Sequence, residues 1–360
     1  MVNGASLRAR RFRNAAIAAI GFILVCALLG AILPFPEIGN VAAELRYFRK
    51  HRDRFDTIFV GSSLTHRDIS PAVFDRVTRE RGHPTRSFNF GVDGMLLPES
   101  SFVLERLLEL RPLHLKWVFI EFDEIDPRPF AGAQGSRRDI YWRDWTRTSL
   151  LLEKVLRDHG KPDTVEFRRP LSQVREQPKR FSELRLLLFH LSLFAKNETN
   201  FSRRIDLIWW GSHFWKPDKM PEDLGPDGDG YAPLVQDFPA EKVLPYEYAR
   251  AHARDNVGER FVSTAAERAC RRMAAEVRKA GATPIFLVMP VLSQTKVKFR
   301  PEAPAPSVLA FNDMTSYPQL YGTEVRAEEL HLNPKGAAAL STLVAEDLSR
   351  LIDQKQLVER

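Results

Sequence analysis

Three short stretches of the sequence hold residue types that could carry out acyl chemistry together. Gly61-Ser62-Ser63-Leu64 follows an apolar run, and a glycine at a strand-to-helix turn leaves a serine hydroxyl with backbone N–H groups beside it. Asn89-Phe-Gly91-Val-Asp-Gly94 follows a second run, and its two glycines let backbone amides approach a ligand without a Cβ in the way. Near the end of the chain, Glu328-Glu329-Leu330-His331 sets an acid three residues before a histidine, immediately ahead of Asn333-Pro334-Lys335-Gly336. A nucleophile, oxyanion donors, and a base with its acid are all on offer. Each piece alone has a plainer reading, since Gly-Ser-Ser is a common turn and a histidine near a helix start is commonly a structural hydrogen-bonding group. It is the combination, in this order, that points to chemistry.

These residues need elements to hold them. Asp56-Thr-Ile-Phe-Val60 is a short β-branched and aromatic run ending at Gly61, which predicts a buried strand meeting a loop. Residues 71–81 open with proline at a favourable first helical position and set Val73, Phe74 and Val77 on one face, after which Ser87-Phe-Asn-Phe90 predicts a second strand. A helix from Glu99 to Arg111, lined by Leu104, Leu107 and Leu108, leads to a third strand, Trp117-Val-Phe-Ile-Glu121, nearly continuous in apolar residues as parallel strands covered on both faces are. The alternation predicts an α/β fold with a doubly wound parallel sheet. In such sheets ligands sit beyond the carboxyl ends of the strands, where the first two stretches fall.

Periodicity weakens between Asp126 and about Arg250, where the chain turns rich in aromatics, arginine and proline. This reads as a largely helical insertion, with a helix near Ser182 to Phe194, the run IDLIWWGSHFW and the turn-rich GPDGDG at 225–230. The last of these lacks the spacing of a calcium loop and is expected to be a surface turn. Regular α/β returns with a helix from about Val262 to Gly281, the strand Pro284 to Met289 and a final amphipathic helix from Lys335 to Ile352.

The order and setting of the three stretches resemble the SGNH/GDSL hydrolase family, whose blocks are a nucleophilic Ser after strand one, a Gly and an Asn in the next two loops, and D-x-x-H before the last helix. The resemblance implies a three-layer flavodoxin-like domain and a serine hydrolase or acyltransferase. By position it implies Ser63 as nucleophile, His331 as general base and Glu328 as the acid that orients it, with Ser63 and Gly94 as oxyanion-hole donors; Asn89 is the candidate to supply a further oxyanion amide from the neighbouring loop, and Ser62, Gly91 and Asp123 are secondary candidates. The sequence departs from the family at Ser62 (Asp in the family), at Glu328 (Asp) and in the third loop, Glu121-Phe-Asp123-Glu-Ile-Asp126, which lacks the family's Asn. Ser62 is the alternative nucleophile, or a loop-capping hydroxyl. Relaxed blocks of this kind are similar to those of the membrane-tethered branch that works on cell-envelope polymers, including the D-alanine transfer protein of teichoic acid modification and the alginate O-acetylation proteins. That likeness implies an O-acyltransferase or O-acyl esterase acting on a cell-envelope polysaccharide beside a membrane-bound O-acyltransferase. A catalytically silent glycan-binding or scaffolding subunit and a small-ester esterase or lipase are the alternatives.

From Ala15 to Leu33 nineteen residues run without a charge, roughly 28 Å as a helix, close to the thickness of a bilayer's hydrocarbon core. Arg8, Arg10, Arg11 and Arg13 precede it with no acidic residue before Glu37, a bias that holds the N-terminus in the cytoplasm and puts the rest outside. A cleaved signal peptide is the competing reading, but its apolar core would be shorter. The expected organisation is a cytoplasmic tail (1–13), a transmembrane anchor (14–34), a juxtamembrane segment (35–55), the SGNH-like domain in two parts (56–126 and 256–360) and the insertion (127–255). Those four arginines also supply four units of the +7 formal charge, so the basic balance of 53 Lys+Arg over 46 Asp+Glu is partly a topology signal, and no basic stripe interleaved with aromatics argues for nucleic acid.

A mean hydropathy of −0.28 excludes a polytopic membrane protein. The two cysteines, Cys26 in the apolar run and Cys270 far downstream, cannot meet in one domain, so neither a disulfide nor a cysteine-based zinc site is expected. No metal or cofactor is expected either. Trp142, Trp145, Trp209, Trp210 and Trp215 lie in the insertion, where internal packing is the expected use, with sugar rings, the membrane interface or a partner as alternatives. Asn197 and Asn200 head two glycosylation sequons by pattern.

Overall fold

The computed structural model describes residues 4–32, 38–128, 136–157, 183–198, 224–255, 258–301 and 306–356. Its centre is a five-stranded sheet, all parallel, in the order β2-β1-β3-β5-β7, formed by β1 (Thr57–Gly61), β2 (Ser87–Gly91), β3 (Trp117–Glu121), β5 (Thr283–Val288) and β7 (Ser307–Ala310). Between them in the chain, β4 (Glu259–Phe261) and β6 (Lys296–Lys298) pair separately as a small parallel ribbon. The predicted strands are all present. β7 has no periodic signal in the sequence, being four residues long and following prolines at 301, 304 and 306.

Successive strand residues point to opposite faces, and each face has its own core. Ile58, Val60, Phe88, Phe90, Val118, Ile120, Phe286 and Val288 pack under α2 (Gly39–His51), α5 (Glu99–Glu109) and α10 (Thr264–Lys279). Phe59, Trp117, Phe119, Ile285 and Leu287 pack under α3 (Ser63–Asp68), α4 (Pro71–Glu80) and α11 (Pro334–Asp353). On that second face Phe59 stacks on Phe119 at 4.7 Å and Phe74 meets Phe59 edge-on at 5.1 Å. The result is three layers, helix on sheet on helix. The segment expected as a juxtamembrane stretch is part of this domain, because Val41 and Phe48 of α2 are buried with the sheet and Phe48 stacks with Phe55.

Helix α1 (Gly4–Ile32) covers the uncharged run. Among the described residues no helix is long and apolar enough to cross a membrane. Side chains at 23, 26, 27 and 29–32 lie outside the described residues, so the membrane anchor is carried by the sequence and not by the structure.

The described parts of the insertion hold four α-helices, α6 (Arg137–Tyr141), α7 (Trp145–Arg157), α8 (Glu183–Glu198) and α9 (Val243–Asp255), and a turn-rich stretch from 224 to 239. Arg147 of α7 donates to the Ser101 carbonyl at 3.0 Å, and Tyr246 of α9 donates to the Tyr321 carbonyl at 3.0 Å, so the insertion grips both helical layers. Trp142 is buried in the main core with Arg143 over its ring, whereas Trp145 is exposed. Trp209, Trp210, Trp215 and the second sequon lie outside the described residues, as does the last residue of the first.

Candidate active site

Strand β1 ends at Gly61 beside Gly91 of β2, which brings the first two motif stretches together at the carboxyl edge of the sheet. Ser62 caps α3 by accepting from the Leu64 N–H at 3.2 Å, and Ser63 is the first helical residue. Under this turn lies Glu121, the last residue of β3. Its carboxylate accepts from the Ser62 N–H and hydroxyl, both at 2.7 Å, from the Thr65 hydroxyl at 2.6 Å and from the Thr65 N–H at 3.2 Å. Gly61 is required by space: a Cβ there would sit 2.0 Å from the Thr65 hydroxyl and 2.2 Å from the Glu121 carboxylate.

His331 arrives from the other end of the chain. Asn333 caps α11 by accepting from the Lys335 and Gly336 N–H groups, Pro334 takes the first helical position, and Gly336 lets the Val325 carbonyl lie where a Cβ would be only 2.1 Å away. A bridge between Arg326 and Leu332 closes the loop, and the Ala327 N–H donates to the His331 carbonyl at 3.0 Å. Arg326, fully buried, donates to the carbonyls of Leu320, Glu329 and Pro290 and pins the loop from behind.

The three principal expected residues meet. Ser63 Oγ lies 2.8 Å from His331 Nε2, and His331 Nδ1 is hydrogen-bonded to Glu328 Oε1. With the Ser63 hydroxyl donating to Nε2, Nδ1–H donates to Glu328, the tautomer a general base requires. The His331 bond, though partly countered by burial, and the His331 charge hold the Glu328 carboxyl below its ordinary range. Burial alone would lower the His331 pKa, but the bond to Glu328 and the charges of Asp68, Glu328 and Asp93 outweigh it, and the net shift is upward.

Asp68, at the far end of α3, is fully buried. One oxygen accepts from the Leu332 N–H at 3.0 Å, while Oδ2 has no partner among the described residues. Burial pushes its pKa up to about 7 against the opposing His331 charge. Asp93 behaves oppositely: burial would raise it, but His66 Nδ1 at 3.0 Å and Arg67 at 2.8 Å hold it well below the usual carboxylate range.

The oxyanion candidates divide. No hydrogen bond among the described residues occupies the N–H of Ser63 or of Gly94, and Gly94 sits at φ +72°, in the region that favours glycine. Asn89 has no N–H to give, because its amide donates to the Thr65 and Ile69 carbonyls, both at 2.7 Å, and its oxygen accepts from the Gly91 N–H at 2.9 Å. Asn89 is a clamp between β2 and α3, and Gly91, its own N–H spent on that clamp, packs against His66, where a Cβ would fall 2.3 Å from the backbone nitrogen. The Ser62 hydroxyl is likewise committed to Glu121. Asp123 accepts from the Glu124 N–H and Glu124 from the Ser263 N–H, so of the third loop it is Glu121 that reaches the serine turn.

GPDGDG is more than the surface turn expected. The Asp229 carbonyl accepts from the Asn89 N–H at 2.8 Å, covering the free edge of β2, and Gly230 comes so close that a Cβ would lie 1.9 Å from the Asn89 carbonyl. The Ala232 N–H then donates to the His66 carbonyl and the Arg67 guanidinium to the Ala232 carbonyl. The insertion thus supplies one wall of the site. No cluster of His, Cys, Asp and Glu suited to a metal ion occurs among the described residues, and Cys270 is a buried free thiol. No protein-family model, curated protein or solved structure matches this chain.

Proposed function

We propose that this chain is an extracytoplasmic serine-dependent O-acyltransferase or O-acyl esterase of SGNH type, acting on cell-envelope polysaccharide through a seryl ester. The observation that carries this reading is the hydrogen-bonded series Ser63, His331, Glu328, assembled from residues up to 268 positions apart. Ser63 Oγ attacks the acyl carbonyl carbon while its proton passes to His331 Nε2. The oxyanion is held by the N–H groups of Ser63 and Gly94, and His331 returns the proton to the departing alkoxide. A second hydroxyl, from sugar or from water, then gives its proton to His331 and attacks the acyl carbon, and His331 passes that proton to the departing Ser63 Oγ. Transfer and hydrolysis share every group named and differ only in that second hydroxyl.

The uncharged run from Ala15 to Leu33, preceded by four arginines, is what supports a membrane anchor. In this reading the anchor sets the domain beside a membrane-bound O-acyltransferase that supplies acyl groups. The acidic third loop is the feature that favours the silent-scaffold alternative; of that loop, Glu121 is hydrogen-bonded to the serine turn.

The test is labelling of the full-length protein by a serine-directed fluorophosphonate. Ser63→Ala and His331→Ala are expected to abolish labelling, and undiminished labelling of Ser63→Ala would remove Ser63 from the role. With a p-nitrophenyl ester as substrate, kcat/KM is expected to rise with pH along a limb centred above the ordinary histidine value of about 6.5, because the base must be neutral and its pKa is raised. A limb centred at or below about 6 would contradict the His331 environment described.

A further inference from the structure

Arg138 lies in the insertion, on the five-residue helix α6, which is short enough to need outside support. Its guanidinium Nη1 donates to the backbone carbonyl of Asp93 at 2.6 Å. The remaining guanidinium nitrogens clasp Glu99 of α5, Nε to Oε1 at 3.0 Å and Nη2 to Oε2 at 3.3 Å, and the Tyr141 hydroxyl, one turn along α6, donates to the same Oε1 at 2.7 Å. Glu99 is buried, and burial raises its pKa against the attraction and hydrogen bonds of Arg138.

The Asp93 carbonyl and the Gly94 N–H belong to one planar trans peptide, so they point in opposite directions and neither can turn without the other. A guanidinium on the oxygen therefore aims the N–H and polarises it, because hydrogen bonds in series strengthen one another. The Asp93 side chain is tied independently by His66 and Arg67. At Gly94 the backbone would otherwise be loose, since glycine occupies φ +72° without needing to.

We infer that Arg138 is a positioning residue of the oxyanion hole: from the insertion, it fixes and polarises the peptide whose Gly94 N–H receives the developing charge. The inference rests on the catalytic reading above. It gives the insertion a direct part in turnover, through a peptide it does not itself supply.

Arg138→Gln and Arg138→Lys in the full-length protein test this, read by p-nitrophenyl ester turnover and by the Gly94 amide signal of protein labelled with 15N-glycine. Arg138→Gln should lower kcat about 10- to 100-fold, part of the loss seen when an oxyanion donor is removed outright. KM should stay within about twofold, Arg138→Lys should recover part of the loss, and the Gly94 amide resonance should move. Should Arg138→Gln unfold by leaving Glu99 unpaired, the Arg138→Gln/Glu99→Gln double variant gives the same readings. A folded Arg138→Gln protein with kcat within twofold of the parent overturns the inference. So does a Gly94 signal that stays in place, whether or not esters are turned over. Failure of the unaltered protein to react with a fluorophosphonate would instead overturn the catalytic reading.

Discussion

The two ends of α3 each hold a buried carboxylate, and they are treated differently. Glu121, at the N-terminal end, receives four hydrogen bonds, two of them from backbone N–H groups that a helix start leaves without intrahelical partners. Asp68, at the C-terminal end, receives one, from Leu332, and keeps an oxygen with no partner among the described residues. The macrodipole favours negative charge at the first site and opposes it at the second. Glu121 therefore serves as the hydrogen-bond acceptor that builds the serine turn. Asp68 is a reluctant anion, its pKa pushed up to about 7, whose charge falls on His331 and lifts the base.

Breaking the well-satisfied end should cost most. Glu121→Ala removes the acceptor of four donors and opens a void beneath Gly61, so about 3 kcal/mol or more of stability is expected to be lost, since each stranded buried donor costs about 1–3 kcal/mol. Urea unfolding measures the stability, and fluorophosphonate labelling of whatever remains folded is expected to be absent because Ser63 is no longer aimed at His331. A Glu121→Ala protein as stable as its parent would mean that the turn is held by other contacts.

How readily each of these features is read from the chain follows from the range of its contacts. The four strands with strong apolar runs are evident because both their faces are buried, and the Glu328-His331 pair because its partners are three residues apart. Ser63 is legible through Gly61 and its position after the first strand. Glu121 stands out in the sequence only as a departure from a family pattern, because its partners lie 56 and 59 residues away and such contacts leave no periodicity. The same holds for Arg138 and Asp93, 45 residues apart, and for the turn at Asp229 and Gly230 that covers β2. Asn89 reads in the sequence as an oxyanion donor for a related reason. A carboxamide beside a glycine serves a ligand or the backbone equally well, and only the carbonyls of Thr65 and Ile69 decide between them.

A smaller effect, of opposite sign, is expected at the other end. Folded Asp68 keeps its proton up to about 7, whereas the unfolded carboxyl releases it near 3.8, so the native state binds more protons between those values and its stability falls as pH rises through that window. Asp68→Asn keeps an acceptor for the Leu332 N–H and never ionises. It should be more stable than the parent at pH 8 and no different at pH 4, read as Tm against pH. Loss of that charge should also lower the His331 pKa and move the acid limb of ester turnover to lower pH. If neither the stability profile nor the limb moves, Asp68 is not the charge that sets the base.

The smallest effect sharpens the contrast within the favoured end itself. Ser62→Ala deletes one of the four donors to Glu121 and the cap on Leu64, leaving the Ser62 N–H and both Thr65 groups in place. A single cap is worth about 1 kcal/mol, so a loss of about 1–2 kcal/mol is expected by urea unfolding. Fluorophosphonate labelling should continue at a rate within several-fold of the parent, because Ser63 and His331 are untouched. The two adjacent serines are thereby separated by one pair of variants: Ser62→Ala should weaken the turn and keep the reaction, and Ser63→Ala should keep the turn and lose the reaction. The reverse pattern would exchange their roles, and would place the reactive hydroxyl in direct contact with the Glu121 carboxylate, which accepts its proton at 2.7 Å with no histidine between them.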